Sequence, residues 1–74
     1  MYTEKIIGDA AITCAECLFG SIPPEDISIN TMPSAEDYGY LEERLGMVPT
    51  WMEKKDFVDF FRDELEALLL EQPY

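Results

Sequence analysis

The stretch Cys14-Ala15-Glu16-Cys17 holds both cysteines of this chain, at a spacing that suits metal or redox chemistry. A Cys-x-x-Cys pair is half of a structural zinc site, or a redox dithiol when it lies at a helix N-terminus. Zinc needs two further ligands, but the sequence has no histidine and no second cysteine pair. The pair also falls near the end of a predicted helix, beside an acid, where a thiolate is disfavoured. We therefore expect both cysteines to pack in the core without a metal or a cofactor; thiol or metal chemistry is the weakest alternative.

Carboxylates are the other chemically active side chains, and they dominate the composition. The chain carries 16 Asp and Glu against five Lys and Arg, for a net charge of −11. Hydrolysis by two carboxylates requires that they face a cleft in different environments, whereas acids on one exposed helix face do not. A histidine base is absent, and no glycine-rich phosphate loop or EF-hand loop occurs. The sequence therefore predicts a protein that is not an enzyme.

The negative charge extends over the whole chain and indicates the class of partner. Such a field repels nucleic acid and anionic membranes, and it speeds association with basic protein surfaces. No apolar run is long enough to cross a bilayer, and the apolar residues near the N-terminus lack a basic leader. We expect a cytoplasmic protein, with reduced cysteines, that binds a basic nucleic-acid-binding protein and neither nucleic acid nor membrane directly. The alternative is that the acidity serves only solubility.

The first segment has the apolar spacing of a helix. Ile7, Ala11, Cys14 and Leu18 recur at i, i+4, i+7 and i+11, which predicts a helix over residues 4–19. Gly20 is expected to be its C-terminal cap. Several β-branched residues in the same segment leave a strand as the alternative.

Residues 21–33 are predicted to form a connection that lies over the core. Pro23-Pro24 cannot lie inside a helix. Beyond them Ile27, Ile29 and Thr31 alternate with polar residues, which indicates a short extended piece over 27–31.

Two further helices begin at capping sequences. Ser34 is an N-cap candidate for a helix that ends at Gly46. Thr50 and Glu53 have the spacing of a capping box, and the helix that they begin should run to about residue 71, before Pro73. The predicted core side chains of the second helix are Tyr38, Leu41 and Leu45, and those of the third are Phe57, Phe61, Leu65 and Leu68, flanked by Trp51, Val58 and Leu69.

These elements predict one all-α domain over residues 1–74, a small three-helix bundle. The alternative is an α+β fold in which residues 27–31 form a strand. Five large apolar residues lie off the central stripes and are expected at the periphery of the core: Met47, Trp51, Met52, Phe60 and Leu70. A homodimer seam or a partner-binding patch is the alternative for these five residues.

The third predicted helix carries a row of acids opposite its core face. Asp56, Asp59, Asp63 and Glu66 lie within about 80° of one another at 100° per residue, and we call them the acidic ridge. The ridge is about 15 Å long at 1.5 Å per residue, so its charge density approaches that of a DNA strand. Lys55 and Arg62 are expected at its far margin. The acids expected to widen or extend the surface are Glu53, Glu64, Glu71, Glu36, Asp37, Glu42 and Glu43.

Like charges at these spacings destabilise a helix, and an exposed face usually mixes the two signs for that reason. An unneutralised row of carboxylates suits a groove that binds phosphates, so nucleic-acid mimicry is the leading hypothesis. The alternative is an ordinary solvated helix face.

A short, strongly acidic, helical chain with such a row resembles the DNA-mimic inhibitors encoded by phages and mobile elements, among them anti-CRISPR and antirestriction proteins. The resemblance is one of composition and carries no diagnostic motif. It implies a non-enzymatic inhibitor whose acidic surface occupies the DNA-binding site of a host defence complex, for example the site that reads the protospacer-adjacent motif. An adaptor that binds its partner through a hydrophobic patch is the alternative function.

Overall fold

Three α-helices make up most of residues 3–71, which are the residues described by the computed structural model. Helix α1 spans Thr3–Ser21, α2 spans Ala35–Leu45 and α3 spans Trp51–Leu70. One turn of 3-10 helix, Pro24–Asp26, lies between α1 and α2. The all-α, three-helix prediction is confirmed, and no strand occurs within residues 3–71.

Helix α1 is longer than the sequence predicts, because Gly20 does not end it. The helix continues through Gly20 to Ser21, and the Ile22 amide still donates to the Leu18 carbonyl at 3.0 Å. Gly20 keeps a right-handed backbone, since Gly46 alone among the glycines has a positive φ. The two prolines that follow end the helix instead: they lack amide donors and disfavour helical geometry in the preceding residue.

The connection between α1 and α2 contains no extended strand, so the α+β alternative with a strand over residues 27–31 is wrong. The Ile27 amide closes the 3-10 turn on the Pro24 carbonyl at 3.1 Å. The Thr31 amide then donates to the Ser28 carbonyl at 3.0 Å, which folds residues 28–31 into a turn. Backbone groups paired within such local turns cannot pair with a second strand. Ile27 is buried and attaches the connection to the core.

Both predicted capping sequences form. The Ser34 hydroxyl accepts from the Asp37 amide at 3.3 Å, and the Asp37 carboxylate accepts from the Ser34 amide at 2.9 Å. Thr50 and Glu53 make the same reciprocal pair at 3.2 and 2.8 Å. Each box satisfies amides that the first turn of a helix would leave without acceptors. Helix α3 ends at Leu70; Pro73, the residue expected to stop it, lies outside the described residues.

Gly46 ends α2 in the left-handed conformation, with φ 75°, as its sequence position predicts. A methyl group here would meet no atom within 4 Å, so replacement by alanine costs backbone strain alone, about 1 to 2 kcal/mol. Thermal unfolding of Gly46→Ala should show a melting temperature lower by about 4 to 16 °C. Gly39→Ala is the matched control, because Gly39 lies inside α2 with equal space and should gain about 0.5 to 1 kcal/mol. A rise in melting temperature for Gly46→Ala would contradict the assignment.

The core is formed mainly between α1 and α3, with α2 packed against α1. Small residues on α1 allow a close approach of α3, which contributes the large side chains Phe57, Phe61 and Leu65. The Tyr38 ring of α2 packs at 5.5 Å from the Phe57 ring of α3 and links these two helices. The other buried residues of this core cluster are Ile7, Ala10, Ala11, Cys14, Ala15, Ile27 and Leu41. No polar or charged residue of 3–71 is buried, so the core that joins the helices is entirely apolar.

Four of the five off-stripe apolar residues are exposed, so their expected place at the periphery of the core is wrong. Met47, Trp51, Met52 and Leu70 are exposed, and Phe60 alone packs partly against the core. The predicted core flank also included Trp51. Met47 lies in the turn before α3, and Met52 and Leu70 lie on the face of α3 opposite Phe57, Phe61 and Leu65. Trp51 lies nearer the core face, but the first turn of α3 precedes its buried residues, which run from Phe57 to Leu65. Within the described residues, no helix is both long enough and apolar enough to span a membrane.

Candidate partner-binding surface

The acidic ridge lies where the sequence predicts, along the outer face of α3. Asp56, Asp59, Asp63 and Glu66 are all exposed, whereas Phe57, Phe61 and Leu65 on the opposite side are buried. The continuous helix from Trp51 to Leu70 holds the four carboxylates in fixed register along about 15 Å. The ridge is therefore a straight row of charges carried by a helix that the core holds in place.

Lys55, which the sequence predicts at the far margin of the ridge and not between its acids, pairs with one of those acids. Its ammonium lies 3.3 Å from the Asp59 carboxylate, as an i, i+4 pair within α3. Residues four apart lie on adjacent turns, and the long lysine side chain reaches the acid. Both side chains are more than half exposed, so the pair adds little stability and opens readily.

The C-terminal half of the ridge borders an open depression of about 430 Å³. Asp59, Asp63 and Glu66 line it together with Arg62 and with Ile29 from the connection. Arg62 therefore shares this surface with three carboxylates. The sequence does not indicate that Ile29 contributes, because the turn at residues 28–31 is what brings it beside α3. The ridge consequently has an apolar border on one side.

Two of the acids expected to widen the ridge are less accessible to a partner than the ridge acids. Glu53 is half-buried, and its carboxylate accepts the capping hydrogen bond from the Thr50 amide. Glu64 is half-buried, on the side of α3 nearer the core. Glu71 is exposed and caps the end of α3. The widened band is therefore less available than the ridge itself.

The acids of α2 form a separate surface. Glu36, Glu42 and Glu43 are exposed, but α2 packs against α1, and none of the three lines the depression beside the ridge. Asp37 is half-buried and occupied by the Ser34 cap. It lines a second depression of about 210 Å³ with the two cysteines. Only the four ridge acids make one continuous row.

The two cysteines have different environments, so the expectation that both pack in the core holds for one of them. Cys14 is buried and Cys17 is exposed. Burial, followed by the negative charge of Asp37, raises the pKa of the Cys14 thiol from 9.0 to about 12. A thiol with so high a pKa is a poor nucleophile and a poor metal ligand near neutral pH. Within residues 3–71 no group of three or more metal-ligating side chains comes together.

This difference predicts unequal thiol reactivity. In native protein at neutral pH, a disulfide reagent such as dithiobis(nitrobenzoate) should react rapidly with the Cys17 thiol. The Cys14 thiol should react only after the protein is unfolded. The Cys17→Ser variant should show no fast thiol at all. Because the folded pKa of Cys14 lies above its unfolded value, its contribution to stability is complete below about pH 9 and declines as the pH rises towards 12. Equal rates for the two thiols in native protein would contradict the assigned burial.

The turn between α2 and α3 carries a second feature, a group of exposed apolar side chains. Met47, Val48, Trp51 and Met52 are 63%, 69%, 74% and 60% exposed, and we call them the apolar turn. Pro49 between them is buried and holds the turn against the body of the protein. The sequence signal for this patch is the density of large apolar residues beside a helix start, where little core is available.

No known protein family matches this chain, and it matches neither a curated protein nor a solved structure.

Proposed function

We propose that this protein is a non-enzymatic inhibitor that mimics double-stranded DNA. The acidic ridge occupies the basic DNA-binding site of another protein and keeps target DNA out. The class of partner is a host defence complex in a bacterial cytoplasm, such as a CRISPR surveillance complex at the site that reads the protospacer-adjacent motif. The four ridge acids form the partner surface, with Glu53 and Glu64 at its edge; the acids of α2 lie on a separate surface and are not part of it.

The observation that carries this proposal is the straight row of four exposed carboxylates on one face of helix α3. Over about 15 Å they present one charge roughly every 5 Å, compared with one every 3.4 Å along a DNA strand. Arginine and lysine side chains that bind phosphates also bind carboxylates, with the same bidentate geometry for arginine. A helix that already holds the charges in register loses little entropy when it binds.

The Lys55–Asp59 pair does not oppose this proposal. An exposed ion pair is worth about 0 to 1 kcal/mol, and a phosphate-binding arginine can replace the lysine at Asp59. The net charge of −11 adds long-range attraction to any basic groove, which raises the association rate.

The test is displacement of DNA from purified targets. Each member of a panel of CRISPR surveillance complexes and restriction enzymes is loaded with its own fluorescent DNA duplex. The protein is then titrated into each loaded complex at low and at high salt. We expect release of the duplex from at least one member, with an affinity that falls as salt rises, as for DNA itself. A basic protein without a nucleic-acid groove serves as the control and should bind far more weakly. Binding that leaves the duplex in place, or an affinity that does not change with salt concentration, would contradict mimicry.

A second candidate function is favoured by the apolar turn. A protein that binds its partner only through exposed Met and Trp side chains would be an adaptor whose charge serves solubility, because these residues are enriched at interfaces. Such a partner would keep its affinity at high salt and would not be displaced by DNA. The same titration therefore separates the two functions.

A further inference from the structure

Met52 joins the apolar turn to the acidic ridge, because it lies on the ridge face of α3. Met52 lies four residues before Asp56, and the row Met52, Asp56, Asp59, Asp63 and Glu66 advances by three or four residues at each step. Side chains at these spacings lie above one another on the helix surface. A partner that covers the ridge from Asp56 onward therefore meets Met52 and the turn before it.

The apolar turn has the composition of an interface anchor. Trp51, at the first position of α3, is 74% exposed although a tryptophan buries about 150 to 250 Å² when it is covered. Residues 47–52 thus place four large apolar side chains in water within one turn of chain. Monomeric proteins rarely expose contiguous apolar patches of more than a few hundred Å² unless the patch binds something.

The residues that flank this patch carry mixed charge, with Arg44, Lys54 and Lys55 beside Glu43 and Glu53, so the net charge of the chain and the ridge indicate its occupant. A second copy of the chain would bring another net charge of −11 against this one, and pairing through Met52 would bring the two acidic ridges near each other. Like charges placed face to face cost several kcal/mol across an interface. A basic surface has the opposite effect, since it is attracted by the ridge that continues from the patch.

We propose that the apolar turn is the second half of the partner-binding surface and docks in an apolar hollow beside the basic groove of the same protein. This inference rests on the proposed function. The ridge reproduces the row of negative charges that the groove binds in DNA. DNA has no exposed apolar group comparable to Trp51, so the apolar turn adds a contact that DNA lacks. The ridge sets the rate of association and the dependence on salt. The turn slows dissociation and selects one basic protein among many.

The two halves of the surface can be separated by their response to salt. The experiment measures Trp51→Ala, and the double variant Met47→Ala with Trp51→Ala, against the panel member whose duplex the unmodified protein displaces best. We expect the affinity to fall by about tenfold or more for Trp51→Ala, with an unchanged slope of log affinity against log salt. The loss should appear in the dissociation rate. The melting temperature should stay within a few degrees, because Trp51 packs little in the free protein.

The control is Ile12→Ala. Ile12 is an exposed apolar residue on α1, outside both the ridge and the turn, and its removal should leave the affinity unchanged. Sedimentation of the unmodified protein should give a monomer; a dimer that Trp51→Ala dissociates would mean that a second copy covers the turn and would overturn the proposal.

The outcomes distinguish this proposal from the proposed function. If changes to the ridge weaken binding but Trp51→Ala and the double variant do not, mimicry stands and the apolar anchor is wrong. If Trp51→Ala abolishes binding to a partner that neither salt nor DNA affects, the adaptor function is correct and both proposals fail. If no panel member loses its duplex to the unmodified protein, mimicry fails and the anchor fails with it.

Discussion

Reversal of the whole acidic ridge to lysine is expected to lower the inhibition of DNA binding by about a thousandfold or more. Each carboxylate that faces a phosphate-binding arginine or lysine contributes at least about 1 kcal/mol, and the substituted lysines add repulsion. Four such losses amount to about 4 kcal/mol, which corresponds to about a thousandfold in affinity. The variant carries Asp56→Lys, Asp59→Lys, Asp63→Lys and Glu66→Lys.

The fold should tolerate this change. All four positions are exposed, and none of the four acids belongs to a capping box. The four lysines repel one another at the same spacings as the acids did. Asp59→Lys also loses the exposed pair with Lys55, which costs about 0.2 to 0.5 kcal/mol. Circular dichroism and thermal unfolding should therefore match those of the unmodified protein within a few degrees.

A charge-matched variant decides whether the row or merely the net charge matters. Four exposed acids outside α3 are reversed instead, so that the net charge changes by the same amount while the ridge stays intact: Asp9, Glu16, Glu25 and Asp26. We expect this variant to keep most of its affinity and to lose only part of its association rate. Equal loss in both variants would show that the total charge is sufficient, and the mimicry of a phosphate row would be wrong.

The second large effect is expected in the core, where Phe57→Ala should unfold much of the protein. Phe57 is fully buried and joins α3 to α2 through the Tyr38 ring at 5.5 Å. Loss of a buried phenylalanine costs about 3 to 5 kcal/mol. The stability expected for a domain of this length is about 4 to 11 kcal/mol, so the loss consumes a large share of it. The melting temperature should fall by about 12 to 40 °C.

Phe60→Ala is the matched control for this prediction. Phe60 lies on the same helix, three residues further on, but it is only half-buried and packs at the edge of the core. Its loss should lower the melting temperature by less than half as much as Phe57→Ala. If the two variants unfolded at the same temperature, the core would not be centred on the face of α3 that carries Phe57, Phe61 and Leu65.

Local chemistry made most of the fold predictable. Ser34 and Thr50 begin α2 and α3 because each lies three residues before an acid that completes a capping box. Gly46 ends α2 because a left-handed residue without a side chain is needed there. The spacing of Phe57, Phe61 and Leu65 places the acidic ridge on the opposite face, and the structure has this arrangement. Each of these features depends on residues within a few positions of one another.

Gly20 shows where a local rule fails. A glycine near the end of an apolar stripe is a common helix cap, yet α1 continues through it because Pro23 and Pro24 are the stronger stop. The extended piece expected over residues 27–31 failed for a related reason. Alternation of apolar residues indicates a strand only if a partner strand exists, and every neighbour of this segment is a helix or a turn.

The sequence by itself determined the three helices, both caps of α2, the N-terminal cap of α3, the all-α class and the outward row of four acids, because helical periodicity and capping act over short distances. The tertiary structure decided which apolar residues are covered. Trp51 and Met47 are as apolar as core residues, but Trp51 lies in the first turn of α3, before its buried segment, and Met47 lies in the turn that precedes the helix, so both remain in water. It also separated Cys14 from Cys17 and the acids of α2 from the ridge, since burial depends on which helices pack together, and that packing joins residues far apart in the chain.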